Sequence, residues 1–204
     1  RDGVRMDRSY SQMGYVFAKH IFGIKGSYAV DPQKGAVVMT LTTQGDVPIH
    51  YTLDGSEPTA ASPRYTGPVE IGKSARFRAT ALREGGENAS YSREFAFSKS
   101  TGRPAVLNTK PNDSYTFEGA SLLVDGYHSR PVFTSGAWLG YLDEPLDVTI
   151  DMGGEQSYRS VELETLAEKG DWIFPPSSVT VWVSDNGTDF TEVASVAVPE
   201  AKAC

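Results

Sequence analysis

One cysteine among 204 residues removes any intrachain disulfide, and because it is Cys204, the last residue, it reads as an exposed thiol that reports nothing about redox compartment. Histidine is nearly as scarce. His20, His50 and His128 lie far apart, and none has a second His or Cys at zinc-ligand spacing, so a transition-metal site is not expected. Positive charge is also short: 19 Lys and Arg against 26 Asp and Glu leave a net charge of -7, with no basic cluster. Nucleic acid and anionic membrane are held largely by Lys and Arg, so neither is expected as a partner. No apolar run approaches the roughly 20 residues of a spanning helix, and membrane insertion is not expected. The opening RDGVRMDRSY lacks an initiator Met, an apolar core region and a cleavage site, so it is not expected to be a signal peptide; residues 1–24 are expected to connect to an upstream domain. A nucleophile elbow, a P-loop and a dinucleotide fingerprint are all missing.

Turn chemistry, by contrast, is abundant. With 20 Gly, 12 Pro, 39% hydrophobic and 22% charged residues, the composition favours short strands between frequent turns over long helices. The length suits two small domains, each with its own core. The most legible stretch is residues 51–65, YTLDGSEPTAASPRY. Ile49, Tyr51 and Leu53 alternate with His50 and Thr52 as in a strand with one buried face. Asp54-Gly55 supplies a turn, and Pro58 and Pro63 keep the residues after it out of a ladder interior. Alternation also predicts strands at residues 36–42, 69–71, 75–82 and 91–97, and a bent strand within residues 15–28. Within residues 75–82, Phe77, Ala79 and Ala81 face one way and Arg76, Arg78 and Thr80 the other. Together they describe an immunoglobulin-like β-sandwich over residues 25–98. The small, polar run around residues 99–104 reads as a linker to a second domain over residues 105–204. There, strands are predicted around residues 148–152, 161–164 and 179–183, with a two-residue hairpin turn at Asn186-Gly187. The fold class is all-β.

Tyr51, Thr52, Asp54, Gly55, Ser56, Glu57, Pro58, Ser62, Pro63 and Tyr65 match a family signature. On them the first domain resembles the chitobiase C-terminal, or fibronectin type III-associated, module that follows the catalytic domain of many family 20 glycoside hydrolases, the β-N-acetylhexosaminidases. The segments YTFEGASLLVDG, GAWLGYLDEPLDVTIDMGG and WIFPPSSVTVWVSDNGTDFTEV resemble a discoidin-type module, the coagulation-factor type C jelly roll that includes many carbohydrate-binding modules. That family's closing strands, with an Arg-Tyr-Val-Arg-like segment, find no counterpart before Cys204. The jelly roll is therefore expected to be cut short or closed differently.

The resemblance implies an accessory region of a secreted, periplasmic or cell-surface β-N-acetylhexosaminidase. The parent's adjacent Asp-Glu pair is not expected here. Asp143-Glu144 sits before Pro145 in a solvated loop, and Glu162 and Glu164, though spaced for joint acid/base work, read rather as an ordinary wet strand face. The implied partners are the upstream catalytic domain and glycans ending in N-acetylhexosamine or galactose-type sugars. Sugar sites pair an aromatic face with polar side chains on loops, which nominates Tyr127, His128, Arg130, Tyr141 and Trp172. Against that, Trp138 and Trp172 read as core anchors. The discoidin likeness implies one structural calcium ion, with Asp125 as the matching ligand and Ser129 as a second; Asp125-Gly126 also reads as a plain turn. Two further expectations remain: a buttress for the catalytic barrel, or a module that adheres to a protein or lipid surface.

Overall fold

The computed structural model describes residues 23–45, 47–82 and 88–199. The chain divides into two compact units. One runs to Gly102 and also takes in Asp125–Tyr127; the other comprises Arg103–Val124 and continues from His128.

Among its described residues the first unit has six strands: β1 (Lys25–Asp31), β2 (Ala36–Thr42), β3 (Ile49–Thr52), β4 (Val69–Ile71), β5 (Ala75–Ala81) and β6 (Ala89–Phe95). They form two antiparallel sheets of order β1-β2-β4 and β3-β5-β6. The period of two decides which side chains go inside. Val37, Met39 and Leu41 of β2 are buried together with Val69 and Ile71 of β4, and register places Val37 opposite Ile71 and Met39 opposite Val69. From the other sheet come Ile49, Phe77, Ala79, Ala81 and Phe95, completing one core cluster. This is a β-sandwich, with β4 at the predicted residues and β5 showing the predicted alternation. Thr80 departs from it: it faces away from the core yet is buried, because its hydroxyl lies 3.3 Å from Glu57 Oε1 on the strap that crosses this face. The predicted bent strand is partly realised as β1; its residues 15–22 lie outside the described residues.

Residues 51–65 are stitched onto the sandwich by their backbone. Tyr51 donates its N–H to Pro63 O at 3.0 Å and Tyr65 to Ile49 O at 2.8 Å, so this excursion covers the free edge of β3. Leu41 donates its N–H to the Tyr65 hydroxyl at 3.0 Å, and Glu57 pairs with Arg78. At the turn, Asp54 Oδ1 accepts from Ser56 N at 2.9 Å and Ser56 Oγ at 2.6 Å. These bonds favour the carboxylate and hold Asp54 below the usual aspartate range. Its contribution to stability is therefore present above that range and lost as pH falls through the lowered value. Gly55 has φ +84°, and a Cβ there would lie 3.1 Å from Arg76 Cβ and 3.2 Å from Arg76 Cδ. Gly55→Val is expected to cost about 2–3 kcal/mol, combining backbone strain with crowding. Urea denaturation followed by amide exchange in β3 and β5 checks this; an unchanged midpoint would remove the turn from the stability of the sandwich.

Residues 98–102 form a tight turn in which Ser98 donates its N–H to Thr101 Oγ1 at 2.9 Å, and Thr101 and Gly102 are buried. The stretch with linker composition thus divides between the two units at Gly102.

The described residues of the second unit contain two short antiparallel ladders. β7 (Ala105–Leu107) pairs with β8 (Val148–Ile150), and β9 (Ser178–Val183) pairs with β10 (Thr191–Ala197). Short 3-10 turns at Asp113–Tyr115, Gly119–Leu123, Phe133–Ser135 and Lys169–Asp171 supply the rest of its regular structure among the described residues. The strand predicted over residues 161–164 is not formed. No ladder receives it, and Val161 and Leu163 are exposed, so the alternation there has no buried face to serve. The predicted two-residue hairpin is instead a loop over residues 184–190. Asn186 Oδ1 accepts the N–H groups of Thr188 and Asp189, at 2.9 and 2.8 Å, and absorbs the turn within an Asx-type knot. Among the described residues of this unit only Pro111 and Val124 are buried.

Candidate functional site

The nominated residues fall into both units. Asp125 and Tyr127 belong to the first, while His128, Ser129, Arg130, Tyr141 and Trp172 belong to the second.

Asp125 is 4% exposed. Its Oδ1 accepts the N–H of Tyr127 at 2.8 Å, the short-range bond that Asp makes readily in a turn. Its Oδ2 accepts the hydroxyl of Tyr28, on β1, at 2.7 Å. Burial pushes the Asp125 carboxyl above the usual range, and outweighs the two hydrogen bonds and the charge of Arg93 that pull it down. Its contribution thus favours folding at acid pH and diminishes as pH rises through the raised value. Burial, followed by the charge and hydrogen bond of Asp125, drives the Tyr28 hydroxyl far above its ordinary range, so Tyr28 remains a donor. Tyr127 packs on the core: its ring centroid lies 5.8 Å from that of Tyr28 and 6.3 Å from that of Phe95. Arg93 of β6 carries its guanidinium carbon 4.1 Å from the Tyr127 ring centroid and 4.8 Å from that of Tyr28. Tyr127 therefore has its ring committed to packing.

In the second unit His128 is exposed and its Nδ1 contacts Glu164 Oε1. Ser129 Oγ donates to Arg130 O at 3.1 Å and lies 3.4 Å from Ser135 Oγ. The same Arg130 carbonyl receives the indole N–H of Trp138 at 3.1 Å, leaving the Arg130 side chain exposed. Trp138, expected as a core anchor, is half-buried and braces this loop. Tyr141 is half-buried, and burial raises its hydroxyl.

Trp172 is 85% exposed, contrary to the core-anchor reading. Its loop explains why: Glu168 and Ile173 exchange both backbone hydrogen bonds at 3.0 Å, closing a small ring that begins with the Lys169–Asp171 turn. Trp172 sits in this ring at φ +58°, a left-handed conformation rarely taken by a bulky residue, which aims the indole outward. Phe174 beside it is also exposed. The sequence pattern does not single out Trp182, the exposed aromatic of β9; its place opposite Val179, Val181 and Val183 in the alternation is the available signal. Nor does the pattern hint at Tyr28 and Arg93 as neighbours of Asp125, since Tyr28 is 97 positions away.

The described strands are all antiparallel, the first unit is a sandwich filled by its own core, and among the described residues no three His, Cys, Asp or Glu side chains converge as metal ligands. The class is an all-β sandwich module. Residues 26–93 match the family described as the chitobiase/beta-hexosaminidase C-terminal domain, a span that covers β2 to β5 whole and all but the ends of β1 and β6. No curated protein matches the chain.

Proposed function

We propose that the chain is the non-catalytic accessory region of a β-N-acetylhexosaminidase that is secreted, periplasmic or displayed at the cell surface. Its first unit acts as a spacer, and its second, a discoidin-like module, contacts glycans. The observation that carries this reading is the family match over residues 26–93, a family of hexosaminidase accessory domains. For the glycan contact, Trp172 supplies what a shallow sugar site needs, an exposed aromatic face held in a fixed loop for stacking on pyranose C–H groups. Lys169 and Asp171 in the same loop offer charged partners for hydroxyls, and Arg130 and His128 add polar ones on theirs. Tethering a catalytic domain beside such a module raises its effective concentration on a polymeric substrate.

Calorimetry of the full chain with chitin oligosaccharides, galactosides and mucin glycans tests this. Binding is expected for sugars ending in N-acetylhexosamine or galactose-type residues, with Trp172→Ala weakening it on the order of tenfold. Absence of binding to every sugar at millimolar concentration would overturn the glycan contact. The spacer role would then stand alone.

A further inference from the structure

We infer that Asp125 is the anchor of a cation-independent strap: residues Asp125–Tyr127 close the edge of β6 and complete the first unit, and the Asp125 carboxylate serves that strap in place of a metal ion. Four sets of contacts carry this. Ala96 donates its N–H to Gly126 O at 2.7 Å, just beyond β6. Phe95 and Tyr127 form an antiparallel bridge, continuing the ladder onto the strap. The Tyr127 ring packs on Tyr28, Phe95 and the Arg93 guanidinium. Asp125 fixes both ends of the arrangement, one oxygen on Tyr127 N–H and the other on Tyr28 Oη.

The adjoining glycine belongs to the same device. Gly126 has φ +68°, and a Cβ there would lie 2.9 Å from Thr101 Cγ2 and 3.1 Å from Ala96 O. The Asp-Gly pair is therefore shaped by passage against residues 96–101. Calcium fits this donor set poorly. A hard cation takes six to eight oxygens, whereas Asp125 is buried with each oxygen already accepting a hydrogen bond, and the nearby positive charge of Arg93 opposes a divalent ion. That same charge, lying against two tyrosine faces, offsets the buried carboxylate.

The test uses the full chain with Asp125→Asn, Tyr28→Phe and the double variant. Hydrogen exchange is followed at the Ala96 and Tyr127 amides, with calcium chloride or with a chelator. Each single change is expected to speed exchange at both amides about tenfold or more, since a buried charged hydrogen bond is lost. The double variant should exceed the larger single effect only slightly, because both changes remove one contact. Calcium and chelator should leave the wild-type rates and melting temperature unchanged. Should Asp125→Asn fail to fold, Tyr28→Phe carries the test, as it keeps the ring that meets Phe95 edge-on at 5.4 Å. Calcium that slows exchange in the wild type but not in Asp125→Asn would overturn the inference in favour of a metal ligand. Unchanged exchange at Ala96 in Tyr28→Phe would overturn it as well.

Discussion

Phe77→Ala is expected to cost the first unit about 3–5 kcal/mol, enough to leave much of it unfolded near physiological temperature. Phe77 is fully buried at the centre of β5, opposite Arg93 in register. Its ring stacks on Tyr51 with centroids 5.7 Å apart and meets Tyr91 edge-on at 6.4 Å. Truncation removes one of the two largest fully buried side chains among the described residues, Phe95 being the other, and leaves a cavity whose walls belong to two sheets. Ala79 and Ala81, its same-face neighbours on β5, are too small to fill the space. Phe77→Leu keeps most of the volume and should cost only about 1–2 kcal/mol. Chemical denaturation of both variants, read by amide exchange at Met39 and Ala79, checks the pair. Equal losses would mean that ring shape, not enclosed volume, decides the effect.

Gly102→Ala is the second large effect, expected at about 3 kcal/mol or more. Two causes add. Gly102 has φ +77°, where an L side chain is strained, and a Cβ there would lie 2.5 Å from Gly35 C and 2.9 Å from Ala36 N, all backbone atoms unable to swing aside. Gly35 is the control. Its φ is +59°, but a Cβ there meets nothing within 4 Å, so Gly35→Ala should cost only the strain, about 1 kcal/mol. If the two alanine variants unfold at the same denaturant concentration, the close approach of residue 102 to the β1–β2 turn carries no weight.

The legible parts of this fold are those where alternation and burial coincide. In β2, Val37, Met39 and Leu41 alternate with Thr40 and Thr42 on a less buried face, and the strand runs from Ala36 as the pattern requires. The same pattern at Val161 and Leu163 produces no strand, because alternation records which residues would face a partner sheet and cannot supply one. Turns are legible through side-chain chemistry: Asp54-Gly55 keeps its turn because the Asp bonds Ser56 and the Gly tolerates positive φ. At Asn186 the same chemistry anchors a longer loop, since four donors converge on one amide oxygen. The candidate site is less legible. Asp125 stands out in the sequence for its turn, yet its environment is set by Tyr28 and Arg93, whose proximity depends on tertiary pairing and leaves no local mark. The apolar neighbours of Trp172 suggest an anchor; the ring closed by Glu168 and Ile173 turns it outward instead.

The distribution of aromatic residues has an optical consequence. Trp138, Trp172 and Trp182 all lie in the second unit, and the described part of the first holds tyrosine and phenylalanine only. Indole emission consequently arises in the second unit, with the exposed Trp172 contributing a red-shifted, readily quenched component that acrylamide should remove first. The sandwich itself contributes no indole among its described residues. Its signature is the near-ultraviolet dichroism of Tyr28, Tyr51, Tyr91 and Tyr127, whose fixed ring contacts make them chromophores of the first unit.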